Sequence, residues 1–327
     1  MKRILLILST FSALMAVFSC NKAVDADPVS ADAADAIVFG VSHSGLLTKA
    51  TDATSITSFK CEATQGLSGS ETNASPCWNN VVFTSDGEST PTYKGDKFWP
   101  LLDPSYNFYG VAATSGSAAA VASAAPDLAF AAGGSTITLG AAYDKDVVCA
   151  YKPYGDITWK TKNTLVFEHI FAQVSTVKVT NTDTDAAISN ITIVLVDPKT
   201  GGTYNLRTGA GQTDGTGWSD KVPTESGSQT LYTNAGSIAV GGDNTGGDNA
   251  YYVVPGEYYL KATWTASVDD YSQTYTAMLS TSAISLVAGK RNAIEVELNG
   301  DAAGMQFGVS LSGWGSNTVE DVEFNHS

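Results

Sequence analysis

Residues 164–180 constrain the chain more than any other stretch. Leu165, Phe167, His169 and Phe171 alternate with Val166, Glu168, Ile170 and Ala172, and the alternation continues through Val177 and Val179. Successive side chains of an extended backbone point to opposite faces, so a period of two is the signature of a strand. The run is too long for one strand of one domain, since strands usually span about 3–10 residues. It reads as the last strand of one β-domain passing into the first strand of the next, with the boundary near Gln173 and a polar turn at 181–185.

The same period recurs along the chain, in Ile37, Phe39 and Val41, in Ile191, Ile193 and Leu195, and in Tyr258, Leu260, Ala262 and Trp264. In the run 294–298, Ile294, Val296 and Leu298 share one face and Glu295 and Glu297 the other, the pattern of a half-buried strand. Turn signals such as Pro255-Gly256 and Ala288-Gly289-Lys290 punctuate these runs. The one helix candidate is the Ala-rich segment 117–125, stopped by Pro126, and its lack of large apolar residues makes it a short surface turn at best. Short alternating strands with such punctuation predict an all-β chain of two tandem antiparallel β-sandwich domains, residues 36–172 and 173–327.

At the N-terminus, Lys2 and Arg3 precede an apolar run from Ile4 to Phe18 that ends in Val17-Phe18-Ser19-Cys20. A stable membrane span needs about 20 apolar residues, whereas a basic start, a short apolar run and a small residue at the cut suit export. Residues 1–19 therefore read as a lipoprotein signal peptide. The Cys20 thiolate would take up the diacylglyceryl group, and residues 20–35 would form a lipid-anchored tether to the outer membrane. Plain secretion with an unmodified Cys20 stays open, because Val17 and Phe18 stand where Leu and a small residue are usual. Loss of Lys2 and Arg3 takes the 18 basic residues to 16 against 33 acidic, a net charge of −17. So acidic a chain is repelled by nucleic acid, which is excluded as a partner.

With Cys20 assigned to the anchor, Cys61, Cys77 and Cys149 remain, an odd number that allows at most one internal disulfide. Cys61 and Cys77 flank the polar loop 64–76 and are the natural pair; the alternative is three small buried hydrophobes. No Cys-x-x-Cys spacing supports a metal or redox site.

Catalysis finds little to work with. His43, His169 and His326 are all the imidazole the chain has. His43 lies beside the first strand, His326 beside the last residue, and His169 in the middle of a strand among aromatics. Gly-x-Ser-x-Gly, phosphate-binding loops and His-Glu-x-x-His are absent. Acid pairs such as Asp269 with Asp270, or Asp220 with Glu225, are not placed across a cleft by their spacing. The expectation is a non-enzymatic protein with no catalytic residue, cofactor or metal. The loop 243–249 is rich in oxygen ligands but lacks calcium-loop spacing, and reads as a hairpin loop. Trp78, Trp99, Trp159, Trp218 and the pairs Tyr251-Tyr252 and Tyr258-Tyr259 could be sugar platforms, but burial between sheets is the expectation.

An ordered set of weaker signals resembles the fimbrillin-like family of surface lipoproteins, which includes the type V pilins. After the export signal and the strand Ala36 to Val41 come Leu47-Thr48-Lys49-Ala50-Thr51, Ile56-Thr57-Ser58-Phe59, Trp78, Phe98-Trp99-Pro100 and Tyr106-Asn107-Phe108-Tyr109-Gly110. Asp146 to Ala150, Leu165 to His169, Val254-Pro255-Gly256 with Tyr258, Leu286 to Ile294, and Phe307 through Gly313-Trp314 complete the order.

The resemblance implies two transthyretin-like sandwiches in a subunit of a cell-surface pilus that contributes to adhesion. Its partners would be other pilin subunits and surface glycans. Assembly would follow proteolytic loss of the first strand, with Ile37, Phe39 and Val41 as the displaced plugs. The donor would be the tail 318–324 of a neighbour, carrying Val319, Val322 and Phe324. Cleavage would fall between Lys49 and Ala50, where Thr48-Lys49-Ala50-Thr51 stands in place of the family's Thr-Arg-Ala-Thr. The only arginines are Arg3, Arg207 and Arg291. Either a lysine-tolerant protease matures the chain, or it keeps its first strand and acts as an anchor-like subunit. A surface-anchored glycan-binding lipoprotein is the competing reading.

Overall fold

The computed structural model describes residues 35–43, 55–67, 70–100, 105–114, 121–131, 134–140, 145–224, 226–246, 251–278, 283–299 and 306–313, with 43, 66–67, 70–76 and 306–313 in backbone only. The first half carries β1 (Ala36–His43), β2 (Ser55–Ile56), β3 (Ser58–Leu67), β4 (Ser70–Ser85), β5 (Tyr93–Phe98), β6 (Tyr106–Thr114), β7 (Val121–Ser123), β8 (Thr136–Leu139), β9 (Val147–Lys152) and β10 (Asn163–His169). Nine of them form one sheet in the order β2-β7-β6-β3-β4-β5-β1-β10-β9, and β9 pairs back onto β6. Seven strands, from β6 through β1 to β9, therefore close into a ring. Closure satisfies ladder groups that an open sheet would leave bare at its edges.

The ring encloses an aromatic core in which Phe39, Phe59, Phe83, Phe108 and Phe167 are fully buried. Its walls approach closely. A Cβ on Gly110 of β6 would lie 2.8 Å from the Phe167 ring of β10, so only glycine fits beneath that phenyl group.

The second half comprises β11 (Ala172–Asn181), β12 (Ala187–Val196), β13 (Lys199–Asn205), β14 (Trp218–Pro223), β15 (Ser228–Asn234), β16 (Asp243–Gly246), β17 (Tyr251–Val253), β18 (Gly256–Val268), β19 (Tyr271–Met278), β20 (Ile284–Leu286), β21 (Lys290–Leu298) and β22 (Gln306–Gly313). One sheet runs β16-β11-β21-β22, with β17 also on β11, and the other β15-β12-β18-β19, with β20 also on β18. The inward residues of β11, β12, β18 and β21 meet in a second core around Trp264. Polar groups buried at its margins are satisfied, as burial demands. Asn292 donates to the Gln173 carbonyl at 3.0 Å, and Asn181 to the carbonyls of Ala186 and Ile238 at 2.9 and 3.1 Å.

A third core joins the halves. The outer face of β6 and β9, with Tyr109, Val111 and Cys149, packs with Phe171, Tyr204, Trp218 and Tyr252. Here β8 of the first half pairs with β13 of the second, and β14 completes a three-stranded sheet. Gly201 is required at this seam, because a Cβ there would lie 2.3 Å from the Gly140 carbonyl oxygen.

Four expectations need correction. The sheets are not purely antiparallel: β1 runs parallel to β10, β11 to β21 and β2 to β7. Residues 121–123 of the segment expected to be at best a short surface turn form β7, paired to β6 and β2, because a sheet edge was there to complete. Residues 243–246 of the expected loop form β16, laddered onto β11. Cys61 and Cys77 are separate buried thiols, not a disulfide. Cys61 sits opposite Val81, and Cys77 lies beyond Trp78 on the same strand. That offset is roughly 10 Å of strand rise, more than the ~7 Å Cα separation a bridge tolerates.

The long alternation divides into β10 and β11, and Ile170 and Phe171 between them are buried in the joining core.

Outside the ring a strap over 125–131 crosses β3 and β4. Lys60 donates to the Leu128 carbonyl at 2.6 Å, and the Phe130 amide donates to Asn80 Oδ1 at 2.8 Å. Beneath the strap Glu62 is fully buried. Its Oε2 accepts from Asn79 Nδ2 at 2.8 Å, while Oε1 has no partner. Burial pushes its pKa from 4.5 up to about 8, partly opposed by a hydrogen bond from the Gly134 amide.

Between those two values the folded chain holds a proton that the unfolded chain has lost. Stability therefore falls as pH rises from about 4.5 to about 8. Glu62→Gln should flatten that decline and raise the denaturation midpoint at pH above 8, read by chemical unfolding across the window. Burial also pushes the Cys61 and Cys149 thiols far above their usual range. Alkylation without reductant should therefore spare Cys61, Cys77 and Cys149 in the native chain and label all three after unfolding, read by mass spectrometry.

Candidate functional site

β1 is seated in the ring by two half-ladders. Its first part pairs antiparallel with β5, Ala36 opposite Phe98, Val38 opposite Lys94 and Phe39 opposite Tyr93, with an irregularity between residues 36 and 38. Its second part pairs parallel with β10, from Phe39 opposite Asn163 to His43 opposite Phe167. Phe39 alone is in register with both neighbours. Each flank is thus zipped along only part of its length, and neither neighbour adjoins β1 in sequence.

Side chains do most of the holding. Ile37 and Phe39 are fully buried, and Val41 packs against the same core. Burial of each large side chain contributes about 1.5–3 kcal/mol. Phe39 meets Phe83 and Phe108 edge to face at 4.9 Å between centroids and Phe59 at 5.9 Å. Such pairs add about 0.5–1.5 kcal/mol each.

Clips on the outside complete the seat. The Trp99 amide donates to the Asp35 carbonyl at 2.8 Å, and Lys160 Nζ stands 2.9 Å from Asp35 Oδ1. Lys162, just before β10, reaches over β1 and donates to Thr92 Oγ1 at 3.0 Å and the Pro91 carbonyl at 3.3 Å, both just before β5. A Cβ on Gly40 would lie 3.2 Å from Lys162 Cε, so the smallest residue sits under the lysine arm.

The other sequence-derived residues divide clearly. Cys20, Lys49, Ala50, Val319, Val322, Phe324 and His326 lie outside the described residues. Trp99, Trp218, Tyr252 and Tyr258 are buried, while Trp78, Trp159 and Tyr251 pack against cores. Tyr259 is exposed. His169 Nδ1 lies 2.8 Å from Oδ2 of the buried Asp146 at the joint between the halves. Asn244 in β16 accepts from the Tyr232 hydroxyl at 2.7 Å. Among the described residues no group of three His, Cys, Asp or Glu is placed to hold a metal.

Sequence reasoning missed Lys162, Gly40 and the Asp35 clips. Lysine and glycine in adjoining segments carry no signal of being neighbours until strand direction is known.

A family model described as fimbrillin-like matches residues 46–314. No curated relative matches the chain in sequence. A fimbrial protein from Bacteroides vulgatus is 17% identical, with 85% of this chain and 99% of that one covered, at a TM-score of 0.52. A fimbrial assembly protein from Parabacteroides distasonis is 9% identical, with 89% and 99% covered, at a TM-score of 0.39. The first of these shares the fold, and the family match spans most of the chain. This chain belongs to the fimbrillin-like family.

Proposed function

We propose that this chain is a structural or accessory subunit of a cell-surface type V pilus that assembles by donor-strand exchange and contributes to adhesion. In this reading it is exported as a lipoprotein through Cys20 and held at the outer membrane. Its halves, 36–172 and 173–327, are tandem transthyretin-like domains. Its role is structural rather than enzymatic.

One observation carries the reading: the first strand is a stave of a closed ring whose other members come from later in the chain, and its Ile37 and Phe39 side chains are buried in the ring's core. Taking β1 away removes Ile37 and Phe39 from the core and uncovers ladder groups on β5 and β10. A slot so exposed is a template for another strand, since backbone pairing supplies affinity and alternating pockets supply register. Residues 44–54, between β1 and β2, contain Lys49 and Ala50, so a cut there separates β1 from the rest of the ring. The tail 318–324 of a neighbouring subunit would then place Val319, Val322 and Phe324 where β1 had been.

The absence of arginine between Arg3 and Arg207 favours a second role within the same family. A subunit that keeps β1 cannot accept a donor there, and would terminate or anchor the fibre.

The test is the mass and N-terminal sequence of the protein recovered from the surface of its native cells. A chain starting at Ala50 is the expected result for a polymerising subunit. An acylated Cys20 start in every fraction would remove the polymerising role and leave the anchor.

A further inference from the structure

The β18–β19 hairpin overshoots the sheet that faces it. Trp264 lies opposite Tyr275, Ala266 opposite Gln273 and Val268 opposite Tyr271, and directly opposed residues share a face. That shared face turns inward, because it begins at Trp264, which is fully buried. Exposure grows along it toward the hairpin tip, and Tyr271 reaches 69%. Among the described residues the facing sheet ends at Asn181 of β11 and Leu298 of β21, before the hairpin does. The turn after β11 and Asn299 at the end of β21 form the opposite wall, and the space between is a cleft of about 460 Å³.

The lining is aromatic and polar rather than apolar. Tyr275 stacks on Trp264 at 5.7 Å between centroids, and Trp264 donates to the Asn299 carbonyl at 2.8 Å, so the floor is fixed. Tyr271 offers a ring face at the mouth, and its hydroxyl donates to Gln273 at 3.3 Å. Asp183 and Asp185 stand on the far wall, with no Lys or Arg among the described lining residues. The exposed Asp269 and Asp270 at the hairpin tip add negative charge.

We propose that this cleft binds a neutral oligosaccharide. The C–H face of a sugar ring would lie on Tyr271 beside Val268, and its hydroxyls would donate to the exposed Asp185 carboxylate and exchange hydrogen bonds with the Gln273 amide, while Asp183 Oδ1 holds the wall by accepting from the Asp185 and Ala186 amides at 2.7 Å. Tyrosine suits a ligand that is apolar on one face and wet at its edge. The volume lies within the range of about 300–1,000 Å³ usual for small-ligand clefts. Carboxylates on the wall and tip repel sialylated, sulfated and uronic sugars, so charge selects the neutral class. The cleft belongs to the second half and shares no residue with the β1 slot, so the proposal stands or falls independently of strand exchange.

The experiment is a glycan array of neutral and acidic oligosaccharides probed with the full chain, followed by calorimetric titration of the neutral glycan that binds best. Wild type should bind neutral members and discriminate against acidic ones. Tyr271→Ala should weaken binding by about tenfold or more, equivalent to about 1.4 kcal/mol, and Asp185→Asn should weaken it less. Tyr259→Ala, an exposed tyrosine outside the cleft, should leave binding unchanged. Circular dichroism melting should show each variant folded as wild type. Absence of neutral-glycan binding at millimolar concentration, preference for acidic glycans, or binding indifferent to Tyr271→Ala would overturn the proposal. Occupation of the cleft by a segment of this chain would appear as the first of these.

Discussion

The packing of Phe39 is the contact on which the first half depends. Its ring meets Phe59, Phe83 and Phe108, which come from three different strands, and its backbone is in register with both β5 and β10. A closed ring tolerates no missing stave, because ladder groups on both neighbours would face water and a void would open among the phenyl rings. The stave in question is the first strand of the chain, with β1 and β10 in register across more than a hundred residues of sequence. A pairing of such long range is costly to form, since the intervening loop must close first. The geometry therefore holds β1 in the ring through strands that are distant from it in sequence.

The rest of the molecule is insulated from that strand. The core around Trp264 and the core joining the halves contain no residue of β1. Opening the slot would disturb the aromatic core of the ring while leaving the second sandwich, the β8–β13 seam and the cleft beside Tyr271 in place. Strand exchange, as proposed for this chain, would need that separation, because the joint between subunits must form while the bodies stay folded. The clips by Asp35 and Lys162 lie on the outside and are half-exposed or exposed, so each is weak by itself. Retention of β1 rests on the buried Ile37 and Phe39.

Alternation made the strands legible. Ile37, Phe39 and Val41 face the ring core, and Ile294, Val296 and Leu298 are buried while Glu295 and Glu297 lie on the other face. What alternation does not encode is direction or neighbour. The parallel pairing of β1 with β10, and the closure of β9 onto β6, arise from chain crossings that leave no local trace. Segment 117–125 read as at best a short surface turn because it is rich in alanine and lacks large apolar residues, yet Val121–Ser123 pairs with β6 because tertiary context outweighs weak propensity. Loop composition likewise misplaced Cys61 and Cys77, since their spacing carries no information about the bulges that offset them. Tyr271 was passed over because the sequence drew attention to Trp and paired Tyr residues, most of which are core.

The most direct measurement uses a chain carrying a specific protease site within residues 44–54, cut in the folded state and mixed with a peptide of residues 314–327. Native mass spectrometry follows the fragment bearing β1 and the added peptide. The account predicts that the cut chain exchanges the β1 fragment for the peptide while remaining folded, and that Phe39→Ala speeds the loss of β1. A cut chain that keeps β1 throughout, or releases it without taking up the peptide, would contradict the account.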